Sequence, residues 1–315
     1  MNNLHPEIQN FINLFDMGLA SIGLTDLPTD DIPTLRNTLG VPFPEEMLPS
    51  IHSIENRTIP GPEGDIPIRI YRPSDAENLP VLIWFHGGGW VLHSVENGEL
   101  TCRKFANDVE CVVVSVDYRL APETPYPGAI DDCAAATTWV AESAAELGID
   151  PTRIAVAGDS AGGNLAACVA YRARENGPEL VFQLLIYPVT DANFDRPSYL
   201  DNAEGYLLTR HAMQWFWDCY VPDHAQRTEP DAAPLQADDL SGLPPAHIIT
   251  AEFDPLRDEG EAYGAALQAA GVEVETLRYD GMAHAFFNLM TAEPVDQVIA
   301  ATENATAALR RAFGN

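Results

Sequence analysis

The 315-residue chain is 46% hydrophobic and carries 47 Asp and Glu against 17 Lys and Arg, a formal net charge of -30. That length suits one large α/β domain or two smaller ones, and no apolar run approaches the roughly 20 residues that cross a bilayer. A surface this acidic repels nucleic acid and anionic membranes.

Residues 1–10 have neither a basic start nor an apolar signal core, so a soluble, cytoplasmic protein is expected, or one whose signal has been removed. Apolar residues at Ile8, Phe11, Ile12, Leu14, Phe15 and Leu19 fall at helical spacing over 6–22. A Pro- and Asp-rich stretch follows, then a short helical candidate near 31–40. The body opens with strand-like runs at Ile66–Tyr71 and Val81–Phe85, and the turn near Ser74–Asn78 makes them a candidate antiparallel pair. Further strand-like runs are Cys111–Val116, Arg153–Ala157, Val181–Tyr187, His247–Ala251 and Val272–Tyr279. Helix-like runs lie at Ala129–Glu146, Ser160–Arg174, Glu259–Ala270 and Val295–Ala312. This alternation predicts a mostly parallel sheet with helices on both faces. Residues 190–235 break the rhythm with Leu207, Leu208, Met213, Trp215, Phe216, Trp217 and Tyr220. An insertion there sits at the carboxyl edge of the sheet, where ligands bind in such folds, and reads as a cap.

Cys102, Cys111, Cys133, Cys168 and Cys219 form no CxxC pair and are odd in number, so free thiols are expected rather than disulfides or metal ligands. The sequons at Asn56 and Asn304 read as chance matches. There is no metal-ligand spacing and no Gly-rich phosphate loop, so neither metal nor cofactor is expected. Lys104 is the single lysine; the composition is read as adaptation to salt, where screening shortens repulsion to a few Å, with compositional drift the alternative.

The chemistry gathers at strand ends. Gly158-Asp159-Ser160-Ala161-Gly162 joins a strand to a helix, the context of a nucleophile elbow, in which a serine becomes useful when exposed, fixed and paired with a base. After Val81–Phe85, His86-Gly87-Gly88-Gly89-Trp90 offers bare backbone N–H groups of the kind an oxyanion hole requires, and Ala161 adds another. Asp254, after strand His247–Ala251, is the candidate acid, with Glu252 and Asp258 as competitors; Asp258 is expected within the next helix, facing solvent. His284, on the loop after the following strand, completes the order Ser, acid, His. His86 is expected to orient the glycine turn, and His93 could line the pocket.

These residues together resemble the hormone-sensitive-lipase family of α/β-hydrolase carboxylesterases. The resemblance rests on His86-Gly87-Gly88-Gly89-Trp90, Asp117-Tyr118-Arg119-Leu120-Ala121-Pro122-Glu123, Gly158 to Asn164, Asp254-Pro255-Leu256-Arg257-Asp258, Gly281-Met282-Ala283-His284 and the segment Asn202–Arg210. It covers nearly the whole chain, most weakly residues 1–50. It implies an α/β-hydrolase fold with an eight-stranded, mostly parallel sheet and a helical cap. The cap would be residues 1–50 and 190–235, and the core 51–189 and 236–315. It also implies Ser160 as nucleophile, His284 as base and Asp254 as orienting acid. Gly88, Gly89 and Ala161 become the oxyanion donors, with Gly87 left open; Trp90, Asp159, Trp215 and Phe216 are candidates to line the pocket. Tyr118, Arg119 and Glu123 match a motif that ties the loop beneath the site. The expected reaction is hydrolysis of short- to medium-chain acyl esters through an acyl-enzyme, without a cofactor. It should weaken in acid, since a protonated His284 cannot act as base. The same triad would serve an amidase or deacetylase. A non-catalytic small-molecule receptor of this fold lacks the histidine that this chain retains. The partner is a small-molecule ester, with a homodimer the weak expectation for assembly.

Overall fold

The computed structural model describes residues 3–21, 31–289 and 294–315, so the Pro- and Asp-rich stretch at 22–30 lies outside the described residues. Strand β3, Leu79–Phe85, shows why the centre of the sheet reads as an unbroken apolar run. Its side chains alternate between two cores, with Val81, Ile83 and Phe85 on one face and Leu82 and Trp84 on the other. Both faces are buried, as in parallel sheets sandwiched by helices.

The other strands are β1 (Ser53–Gly61), β2 (Gly64–Arg72), β4 (Val112–Val116), β5 (Ile149–Asp159), β6 (Phe182–Ile186), β7 (Ala246–Phe253) and β8 (Val274–Ala283). They form one eight-stranded sheet in the order β1-β2-β4-β3-β5-β6-β7-β8, antiparallel at β1–β2 and β2–β4 and parallel thereafter. The expected pairing of Ile66–Tyr71 with Val81–Phe85 is corrected. Strand β4 lies between them, with Ile68–Tyr71 opposite Val113–Val116 and Val81–Phe85 parallel to Val112–Val116. The parallel β3–β4 pair needs a crossover, supplied by α3 (Glu99–Val109). The hairpin partner of β2 is instead β1, reached through the Gly61–Gly64 turn. Sequence reading passed over β1 because it is an exposed edge strand in which only Ile59 is buried.

In chain order, the remaining helices are α1 (Pro6–Ser21), α2 (Ile32–Leu39), α4 (Gly128–Glu142), α5 (Ala144–Leu147), α6 (Ala161–Asn176), α7 (Pro197–Asp201), α8 (Arg210–Tyr220), α9 (Arg257–Ala269) and α10 (Asp296–Phe313). Helices α7 and α8 occupy the segment between β6 and β7. No helix among the described residues is long and apolar enough to cross a membrane.

Because β3 to β8 are parallel, the residues following β3, β5 and β7 emerge at one edge, together with the end of β8. Both irregular regions meet that edge. Arg36 of α2 donates to the Val91 and Ala121 carbonyls at 2.7 and 2.9 Å and pairs with Glu123. The N–H of His5, just before α1, donates to the Gly281 carbonyl at 2.9 Å. From α8, Tyr220 stacks on Trp90 at 4.5 Å, with Trp217 edge-on.

Candidate active site

Ser160 stands between β5 and α6 with φ 56° and ψ -120°, a backbone shape that costs a non-glycine residue of order 1–3 kcal/mol. The glycines two positions either side make the turn possible by contact. A Cβ on Gly158 would come within 2.3 Å of the Gly162 backbone, and one on Gly162 within 2.0 Å of the Phe85 carbonyl oxygen. The turn is fastened by the Ser160 N–H, which donates to the Ile186 carbonyl at 2.8 Å. From α6, buried Asn164 accepts the Trp90 indole N–H and donates to the Val189 and Ala232 carbonyls, at 3.0 and 2.8 Å. It joins the serine helix to the glycine turn and to the inserted segment.

His284 Nε2 lies 3.0 Å from Ser160 Oγ, and its Nδ1 lies 2.7 Å from Asp254 Oδ2. An ionised carboxylate only accepts, so Nδ1 carries the proton and Nε2 is the nitrogen able to take the serine proton. Asp254 is fully buried, and its other oxygen accepts the Leu256 N–H at 2.9 Å. The Tyr187 ring packs against the imidazole, with ring centres 4.7 Å apart. The competing carboxylates have other work. Glu252 Oε2 accepts the Gly281 N–H at 2.7 Å and so pins the loop that carries His284. Asp258 lies within α9 as expected. It does not simply face solvent, because its carboxylate accepts the Ser198 N–H at 2.8 Å and pairs with Arg257.

The turn after β3 sorts its three glycines. The Gly87 N–H donates to Asp159 Oδ1 at 3.0 Å, which removes Gly87 as an open oxyanion donor. Among the described residues, no carbonyl or side-chain acceptor takes the N–H of Gly88, Gly89 or Ala161. Gly88 and Gly89 have φ of +110° and +61°, and a Cβ on Gly89 would fall 2.2 Å from the Phe216 ring. Phe216 of α8 therefore lies directly on the turn.

The other pocket candidates, Trp90, Trp215 and Asp159, each have partners within the fold. Trp90 is fully buried against Tyr220 and Trp217, which leaves it no face for a substrate. Trp215 is one position from Phe216 on the helix, and its ring packs against the Phe216 ring with centres 5.0 Å apart. It lines a hollow of about 680 Å³ together with Phe194, His211 and Arg227, which Ser160 and His284 do not border. Asp159 has both carboxylate oxygens engaged, Oδ1 by Gly87 and Oδ2 by the Asn288 amide at 2.9 Å. Burial pushes its carboxyl up to about 6 against the Gly87 N–H, which favours the charged form.

His86 is buried, stacked on Tyr118, with Nδ1 2.8 Å from the Gly87 carbonyl. Tyr118 OH donates to the His86 carbonyl at 2.6 Å, and the Arg119 guanidinium grips Asp132 through two bonds of 2.8 Å. Burial pulls His86 down to about 3 and His93 to about 4, so both are neutral supports near neutral pH. Sequence reading missed Asn164, Tyr187 and Asn288 as site supports. Asn164 closes the motif that begins at Gly158, Tyr187 ends the strand-like run Val181–Tyr187, and Asn288 lies four residues beyond His284, but none of these positions told what its side chain would hold.

The alpha/beta hydrolase fold profile matches residues 82–288. Carboxylesterase NlhH of Mycobacterium tuberculosis is 49% identical over 279 residues, 86% of each chain. An arylesterase of Saccharolobus solfataricus is 36% identical, over 90% of this chain and 92% of its own. The crystal structure of a thermostable esterase from Pseudomonas putida ECU1011 superposes with a TM-score of 0.89 at 40% identity, over 98% of both chains.

Proposed function

The chain belongs to the α/β-hydrolase family, as a carboxylic ester hydrolase of its hormone-sensitive-lipase-like branch, and on that premise we propose that Ser160, His284 and Asp254 are its nucleophile, base and orienting acid. The observation that carries this is the continuous run from Ser160 Oγ through the imidazole to Asp254 Oδ2, with links of 3.0 and 2.7 Å.

In this reading His284 Nε2 takes the Ser160 proton as Oγ bonds to the ester carbonyl carbon. The carbonyl π pair moves onto oxygen, where the N–H groups of Gly88, Gly89 and Ala161 receive it. The intermediate collapses with cleavage of the acyl C–O bond, and His284 gives its proton to the leaving alcohol. Water then repeats the sequence on the acyl-enzyme, releasing the acid and restoring Ser160. Asp254 fixes the imidazole tautomer and stabilises its cation.

The finer reading is a two-part helical cap and a preference for short- to medium-chain acyl groups, from acetyl to about octanoyl. Phe216 against Gly89 and the Arg36 contacts to the Val91 and Ala121 carbonyls support the cap. The ring of Phe216 limits the room above the turn, as expected of a bounded apolar pocket. The acidic composition supports salt tolerance. An acyl-length series of soluble esters tests the preference. kcat/KM should be highest at or below octanoate and be abolished in Ser160→Ala; faster turnover of long-chain triglyceride emulsions would overturn it.

A further inference from the structure

Asp159, the residue before the proposed nucleophile, bonds to two elements that must agree in position and reaches a third through Asn288. Its Oδ1 receives the Gly87 N–H at 3.0 Å from the glycine turn. Its Oδ2 receives the Asn288 amide at 2.9 Å from the short helix Phe286–Asn288, which follows the His284 loop. Asn288 Oδ1 in turn accepts the Thr101 hydroxyl of α3 at 2.9 Å. The carboxylate is also pressed on the turn itself, since a Cβ on Gly87 would stand 2.4 Å from its Oδ2. We propose that Asp159 is a positioning residue. It accepts the Gly87 N–H to set the direction in which the next two N–H groups, of Gly88 and Gly89, point relative to Ser160, and the Asn288–Thr101 pair holds it in place.

The polarity of this chain of bonds is fixed by chemistry. A backbone N–H can only donate, so Asp159 must present an acceptor to Gly87. Facing a carboxylate, Asn288 must present its NH2, leaving its oxygen for Thr101. An asparagine at 159 could keep its oxygen on Gly87 and turn its amide toward Asn288. That amide would flip, offering its oxygen to position 159 and its NH2 to the Thr101 hydroxyl, which can also accept. An alanine at 159 offers Gly87 nothing. The two substitutions therefore separate an acceptor role from a charge role.

The inference rests on the proposed oxyanion assignment, and the experiment keeps the two apart. Labelling of the wild type by a fluorophosphonate, lost in Ser160→Ala, tests the nucleophile independently of Asp159. With that in hand, kcat and KM are measured on p-nitrophenyl butyrate. Asp159→Ala should lower kcat by about 30-fold or more, a loss approaching that of an oxyanion donor, with KM within about threefold. Asp159→Asn should stay within about fivefold of wild type in both. The loss in Asn288→Ala should be smaller and should not add to that of Asp159→Ala, as for residues in one network. If Asp159→Ala does not fold, Asn288→Ala alone decides, by a fall in kcat at constant KM. An unchanged kcat, a loss confined to KM or to acyl preference, or an Asp159→Asn as impaired as Asp159→Ala would each overturn the proposal.

Discussion

At Ser160 a single residue holds a positive φ of 56°, in a turn closed by glycines two positions to either side. Gly158 and Gly162 are packed to within van der Waals limits of backbone, so the turn stays sharp and the hydroxyl stays exposed to His284. Asp159, beside it, is a buried carboxylate whose affinity for its proton is raised from the ordinary 3.8 to about 6, first by burial. The sign of its effect on stability follows. Well below pH 3.8 the group is protonated in both folded and unfolded chains, and its contribution is complete. As pH rises through about 6, the unfolded chain has already ionised while the folded one still holds its proton, and stability is lost. Relative to Asp159→Asn, the wild type should lose up to about 3 kcal/mol between about pH 4 and about pH 7. Denaturant unfolding of both proteins across that range measures this. A difference that does not vary with pH would show that the carboxyl is not perturbed.

At the scale of elements, the fold was legible wherever one physical pattern dominated. The apolar runs of β3, β5 and β6 could be read because both faces of those strands are buried. The elbow and His284 could be read because their chemistry demands particular residue types at strand ends. What escaped depends on tertiary partners. β1 carries almost no buried face, and the insertion of β4 between β2 and β3 is a matter of pairing that local spacing does not encode. Likewise, the three glycines of the turn differ only through a tertiary contact, the Gly87 N–H on Asp159, and Trp90 is buried by a tertiary contact, the stacked ring of Tyr220.

Helix α8 is the element whose placement most directly shapes the site, through Phe216 on Gly89. Phe216→Ala removes that ring and should destabilise the protein by about 3–5 kcal/mol. In the variant that remains folded, the ratio of kcat/KM for dodecanoate over butyrate esters should rise by about tenfold, as expected when a few buried methylenes are newly accommodated. An unchanged ratio would mean that Phe216 does not bound the acyl chain.

For the whole molecule, charge is the unusual property. Most of the arginines are engaged in specific pairs, among them Arg119 with Asp132 and Glu63, Arg172 with Asp131 and Asp231, and Arg278 with Glu261. The net charge of -30 therefore resides in surplus carboxylates that repel one another. Screening should relieve this, and Tm is expected to rise by at least about 5 °C between about 0.1 M and about 2 M KCl. A flat response would contradict salt adaptation. The catalytic expectations presuppose one reactive centre, where four segments of one sheet edge converge on Ser160. Intact-mass analysis after treatment with a fluorophosphonate, followed by peptide mapping, examines it most directly. The account predicts one adduct per chain, on Ser160, absent in Ser160→Ala and strongly slowed in His284→Ala. A wild type left unmodified, or an adduct that persists after Ser160→Ala, would contradict it.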